Sequence, residues 1–132
     1  MRYFEENPDS TLNRGLYLVK YTGEGREDKP NNPGLLFIEK GSCKFGQSLN
    51  LIEVKKRYVA HFKSEDDIEM HILARLRDID DINELEKKLH HAFDSRRLVN
   101  SNNRKSEWML PEDIEKLKKE FKKIFLNHFY VE

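Results

Sequence analysis

Lys44-Phe45-Gly46-Gln47-Ser48, followed by Asn50, Arg57 and His61-Phe62, is the stretch on which the fold turns. Leu35 to Glu39 and Ser42 to Phe45 have strand character, with a break expected at Gly41 from a bulge or bend. Gly46-Gln47-Ser48 reads as the turn that ends this strand. Asn50 is then a good helix N-cap, with Glu53 at the capping-box position. The helix runs to about Lys63 with Val54, Tyr58 and Phe62 as its apolar stripe. Arg57 and His61 are four residues apart and share one helical face. An earlier Gly15-Leu16-Tyr17 opens another strand, Gly15 to Tyr21, so a phenol and an ammonium (Tyr17, Lys44) stand near that helix. A planar guanidinium beside them can hold phosphate oxygens in pairs.

Working outward, residues 1–14 are polar and irregular, and Thr22 to Gly34 is a long loop rich in Gly, Pro and Asn. Glu69 to Leu76 reads as a third strand. Asp80 or Asp81 caps a second helix, whose apolar positions Ile82, Leu85, Leu89, Ala92 and Phe93 follow the helical period. Leu98 to Ser106 is a polar loop, and Glu107 to Leu110 is apolar enough for a short further strand. Pro111 suits the first turn of a last helix, to about residue 129, with Ile114, Leu117, Phe121, Ile124, Phe125 and Phe129 inward. The pattern predicts one α+β domain over 1–132. Its core is β-β-α-β-α over about 15–110, a small, mainly antiparallel three-stranded sheet flanked by helices, followed by the C-terminal helix over about 111–129.

The 132 residues are 37% hydrophobic and 36% charged, with 24 Lys+Arg against 24 Asp+Glu. No apolar run is long enough to span a membrane, and the start has no apolar signal core, so an intracellular, non-secreted protein is expected. Cys43 is the single cysteine and forms no internal disulfide. The zero net charge hides a segregation. Residues 41–65 carry five basic and two acidic side chains, 66–86 two basic and eight acidic, and 87–105 six basic and one acidic. Lys55, Lys56, Arg96, Arg97, Arg104 and Lys105 in the two basic blocks are the candidate nucleic-acid contacts; the plain alternative is solvated faces. The His and Cys residues form no zinc motif, and there is no P-loop, dinucleotide glycine signature or GxSxG elbow.

Glu86 stands out in the second helix. At about 100° per residue it lies about 70° from the centre of the apolar stripe, on the margin of the buried face. A carboxylate there calls for a cation, either a Lys or Arg partner or a hard metal ion such as Mg²⁺.

With these residues assembled, the chain resembles the GIY-YIG nuclease superfamily. Gly15-Leu16-Tyr17 is similar to the first triplet, and Lys44-Phe45-Gly46 to the second, with Lys in place of Tyr as is often so in a phage-associated branch. Arg57-Tyr58 with His61-Phe62 resembles the family's R-[aromatic]-x-x-H-F helix, and Leu85-Glu86 with Leu89 its metal-binding helix. Glu107-Trp108 resembles a Glu-Trp element of the same branch, with Met109 where an aromatic residue is usual. The resemblance covers about residues 15–110. It implies cleavage of a DNA phosphodiester with one Mg²⁺ or Mn²⁺ held by Glu86. Tyr17 would act as base or orient the attacking water, Lys44 would assist it, and Arg57 and His61 would serve the phosphate. Glu107 is a second candidate for metal or DNA contact, and Asn100, Asn102 and Asn103 are open candidates for the family's asparagine. Other readings are a catalytically weak or inactive nucleic-acid-binding module and a protein-interaction domain using the last helix. A homodimer or a specificity partner would fit the lack of any further recognition element.

Overall fold

The computed structural model describes residues 13–28, 36–63 and 66–130. The sequence-based expectations for residues 1–12 and for most of the Gly/Pro/Asn-rich tract lie outside the described residues.

The chain order is β1 (Gly15–Tyr21), β2 (Arg26–Asp28), β3 (Leu36–Ile38), β4 (Cys43–Ser48), α1 (Leu51–Phe62), β5 (Ile68–Arg75), α2 (Ile79–Ala92), a 3-10 turn (Asp94–Arg96), β6 (Arg97–Val99), β7 (Lys105–Met109) and α3 (Ile114–Phe129). The α+β class holds and the sheet pairings are antiparallel, but the main sheet has five strands rather than three, in the order β5-β1-β4-β7-β6. The two extra strands come from 97–109. Most of the expected polar loop over 98–106 is a hairpin, closed where Asn100 Oδ1 accepts from the Asn102 and Arg104 amides at 2.9 and 3.0 Å, and Asn103 takes φ 61°. An Asn side chain can satisfy turn amides in this way, and Asn tolerates positive φ.

Three further boundaries differ from expectation. Gly46-Gln47-Ser48 is not a turn; it continues β4, paired with Tyr17, Leu16 and Gly15 of β1. The stretch before it breaks at Gly41 (φ 96°) as expected, into β3 and β4, but β3 leaves the main sheet and pairs with β2 in a separate two-stranded sheet. The α2 N-cap is Asp78, whose side chain accepts from the Asp80 amide, and α3 begins at Ile114 behind an Asp113 cap, leaving Pro111 outside it. The Asn50 cap of α1 is as expected, accepting from the Glu53 amide at 3.1 Å.

The sheet carries a core on each face because side chains alternate along a strand. Leu16, Leu18, Cys43 and Phe45 join Ile82, Leu85 and Leu89 of α2 and Leu117, Phe121 and Phe125 of α3. Tyr17, Val19, Tyr21 and Trp108 face the other way, with Leu51, Val54 and Phe62 of α1 and Leu36 and Ile38 of β3. Polar links to His128, from Lys88 and Asp81, and to Glu120, from Arg96, pin α3 in place. His128 Nε2 lies 3.1 Å from Asp81, and the Arg96 guanidinium pairs with Glu112 and Glu120 at 3.1 and 3.3 Å. Cys43 is fully buried, and burial pushes its thiol up to about 11, so it is an inert core residue. No helix among the described residues is long and apolar enough to cross a membrane.

Candidate active site

The β1–β4 register sets the centre of the site. Tyr17 lies directly opposite Gly46, and its ring lies across the β4 backbone there. A Cβ on Gly46 would stand 2.3 Å from Tyr17 Oη and 2.4 Å from Cζ, far inside contact distance. Gly15 is equally constrained: a Cβ there would meet the Ala74 carbonyl oxygen at 1.9 Å. Both triplet glycines therefore have a steric reason, one to admit the β5 backbone and one to admit the tyrosine ring.

Tyr17 is 5% exposed, and its hydroxyl lies 3.0 Å from that of Tyr58, one helical residue past Arg57. The two rings meet edge to face at 5.9 Å. Burial, then the Tyr58 phenol, push Tyr17 ionisation far above the ordinary tyrosine range, and the opposing charge of Lys44 does not offset them. Tyr58 is also raised, to about 12, chiefly by burial. A lowered Tyr17 pKa, which a base would need, is the reverse of what this environment produces.

Tyr17, Lys44, Arg57 and His61 line a single cavity of about 580 Å³. They come from β1, β4 and α1, which close the cavity together with the β6–β7 hairpin. Arg57 and His61 stand on the margin of the α1 stripe, exposed and turned to the cavity, because Val54, Tyr58 and Phe62 hold the helix down. Lys44 Nζ lies 5.4 Å from the Tyr58 ring centre, 5.9 Å from that of Trp108 and 3.3 Å from Glu107 Oε2. Glu107 is therefore a cavity carboxylate paired with Lys44. Asn100, one of the three open asparagines, also lines the cavity and is 8% exposed.

Glu86 does not line this cavity. It sits on the buried margin of α2 as expected, and Gln47 stands between: Gln47 lines the cavity and donates Nε2 to Glu86 Oε1 at 2.9 Å. Burial would raise the Glu86 carboxyl, but hydrogen bonds from His90 and Gln47 outweigh it and hold the group below the usual carboxylate range. Among the described residues no three His, Cys, Asp or Glu side chains gather as metal ligands. The donor set at Glu86 fits Mg²⁺ or Mn²⁺ bound through one ionised carboxylate, with water and phosphate oxygens completing the shell.

The basic candidates divide. Arg97 and Lys105 line the cavity, yet both are tied to Asp94, Arg97 at 3.2 Å. Arg97 also donates to the backbone carbonyls of Ser106 and Lys105. Arg96 is turned away from the cavity, over the Phe93 ring and onto Glu112 and Glu120. Lys55, Lys56 and Arg104 are exposed and do not line the cavity, and Lys56 lies 3.6 Å from Glu53. Much of the charge in the basic block over 87–105 is thus balanced by acids near in space. Sequence reasoning placed Tyr58 in the α1 stripe and Gln47 in a turn; the strand alternation through β4 is the signal that turns Gln47 toward α2. No protein-family model, curated protein or solved structure matches this chain.

Proposed function

We propose that the protein is a metal-dependent DNA endonuclease of the GIY-YIG kind, hydrolysing a phosphodiester in the cavity between β1, β4 and α1. The observation that carries this reading is the convergence of Tyr17, Lys44, Arg57 and His61 on one cavity. Arg57 presents a planar cation to the phosphate oxygens and offsets the charge that develops on them. Tyr17, protonated, donates or accepts through its hydroxyl to orient the attacking water, with Tyr58 fixing its direction. Lys44 exchanges Glu107 for phosphate. His61 stands at the mouth, placed to move a proton to or from a reacting oxygen. Glu86 lies outside the cavity lining and is joined to it by Gln47; it would hold one divalent ion beyond that amide, and the ion would supply Lewis-acid polarisation to a phosphate oxygen reaching past Gln47.

A second reading, a nucleic-acid-binding module without chemistry, is favoured by one observation: Tyr17 is buried and held protonated. A labelled DNA duplex incubated with the protein and Mg²⁺ or Mn²⁺ separates the two. Cleavage supports the first reading. Salt-sensitive retention of intact DNA supports the second.

Both readings predict an effect at Asp94. Asp94→Asn weakens the hold on Arg97 and Lys105 beside the cavity. Retained DNA should bind several-fold tighter, and the dependence of affinity on salt should steepen by roughly one to two phosphate contacts. Unchanged affinity and salt slope would remove these two cations from the binding surface.

A further inference from the structure

The face of α2 that carries Glu86 carries another donor that the nuclease reading leaves unused. His90 is one turn further on, and its Nε2 lies 3.7 Å from Glu86 Oε2. The side chains are 24% and 21% exposed, so the pair is neither sealed in the core nor free in solvent. Gln47 holds the other carboxylate oxygen, Oε1, at 2.9 Å. The carboxylate is thereby fixed on one side and presents Oε2 to the imidazole on the other. His90 also lines a second hollow, of about 480 Å³, bordered by Asp94 and Arg97. Gln47 lines the main cavity, so Glu86 lies between residues that reach two openings.

We infer that Glu86 and His90 together form a mixed oxygen and nitrogen cation site on α2, which takes a first-row transition-metal dication in preference to Mg²⁺. The inference deepens the nuclease reading, and its bearing on cleavage rests on that reading. An ion bound to both donors at about 2.1 Å places them roughly 3.0–3.4 Å apart. The observed separation needs only a small side-chain rotation to reach that range. The i,i+4 spacing supplies the geometry, since such residues are neighbours on one helix face. Mg²⁺ is a hard ion that keeps to oxygen and gains little from an imidazole, whereas Mn²⁺ and, more strongly, Co²⁺ accept nitrogen. With two protein donors, positions are left for water and phosphate oxygens, as a catalytic ion requires.

Calorimetric titration of the whole protein with Mg²⁺, Mn²⁺ and Co²⁺, with pulsed electron paramagnetic resonance of the Mn²⁺ complex, tests the site without any cleavage assay. Mn²⁺ and Co²⁺ should bind at least about tenfold tighter than Mg²⁺, with Co²⁺ the tightest. The Mn²⁺ spectrum should show coupling to a histidine nitrogen. His90→Ala and the size-conserving His90→Gln should bring the three affinities within about threefold and abolish the nitrogen coupling, and Glu86→Gln should weaken all three. Equal affinities in the wild type, or nitrogen coupling that survives in His90→Ala, overturns the site. The wild-type comparison and spectrum decide the question even where a variant folds poorly. Binding through both residues with no cleavage of DNA upholds the site and overturns the nuclease reading. Mg²⁺-supported cleavage unaffected by His90→Ala, with no nitrogen coupling, does the opposite.

Discussion

For the proposed nuclease, Arg57→Ala is expected to lower the rate of DNA cleavage at saturating DNA by at least about 100-fold, equivalent to about 3 kcal/mol of transition-state stabilisation. The guanidinium stands on α1 at the rim of the cavity that holds Tyr17 and Lys44. Charge on the phosphate oxygens grows on the way to the transition state, so a cation placed there acts more strongly on the rate than on binding. Arg57→Lys keeps the charge but loses the paired, planar contact, and should recover only part of the rate. The residue is exposed and outside both cores, so thermal stability should be unchanged within about 0.5 kcal/mol. Single-turnover kinetics with both variants are the check. A loss confined to affinity, with the rate at saturating DNA untouched, would make Arg57 a binding residue only.

Gly46→Ala is the second large effect, this time on stability. In an ordinary strand this change is neutral or mildly stabilising, since Ala restricts the unfolded chain. Here the added Cβ meets Tyr17 Oη and Cζ at 2.3 and 2.4 Å. The ring has little room to move, being 5% exposed and hydrogen-bonded to Tyr58. Overpacking of this kind costs about 1–3 kcal/mol, and the displaced Tyr17–Tyr58 hydrogen bond adds about 1 kcal/mol. A double-mutant cycle isolates the cause. With Tyr17→Ala already in place, Gly46→Ala should cost little, giving a coupling above about 1 kcal/mol in denaturant unfolding. An equal cost in both backgrounds would mean that the glycine serves the backbone and not the ring.

The elements set by local signals were the most legible in the sequence. The Asn50 cap and the Val54, Tyr58 and Phe62 stripe place α1, and Ile82, Leu85 and Leu89 place α2, because a cap and a 3.6-residue period lie within one short window. Of the last two strands of the sheet, β7 is announced by the apolar stretch from Glu107 to Leu110, and β6 is the harder to read. Arg97–Val99 is three residues long, and the asparagines after it suggest a loop when no partner strand is in view. The pairing with β7 that makes it a strand is a tertiary fact. The same holds for charge: Arg96 looks like part of a basic patch until Glu112 and Glu120 are brought to it from the far side of β7.

The candidate site divides along similar lines. Tyr17, Lys44, Arg57 and His61 fall between positions 17 and 61 of the sequence, and all four line the one cavity. Helical phase put Glu86 on the margin of the buried face, where it is found. It could not give the Gln47 amide beside it, because Gln47 read as a turn residue, and only the continuation of β4 through Ser48 directs it to α2. Nor could it give the raised Tyr17 ionisation, which depends on burial beneath α1.

The proposed metal-dependent cleavage through Glu86 is decided by incubating supercoiled plasmid with the wild-type protein and with Glu86→Ala, in Mg²⁺, in Mn²⁺ and with a chelator. Nicked or linear DNA from the wild type, none with the chelator and none from a folded Glu86→Ala is the predicted result. Plasmid left intact by the wild type in both metals, or cut equally well by Glu86→Ala, would contradict it.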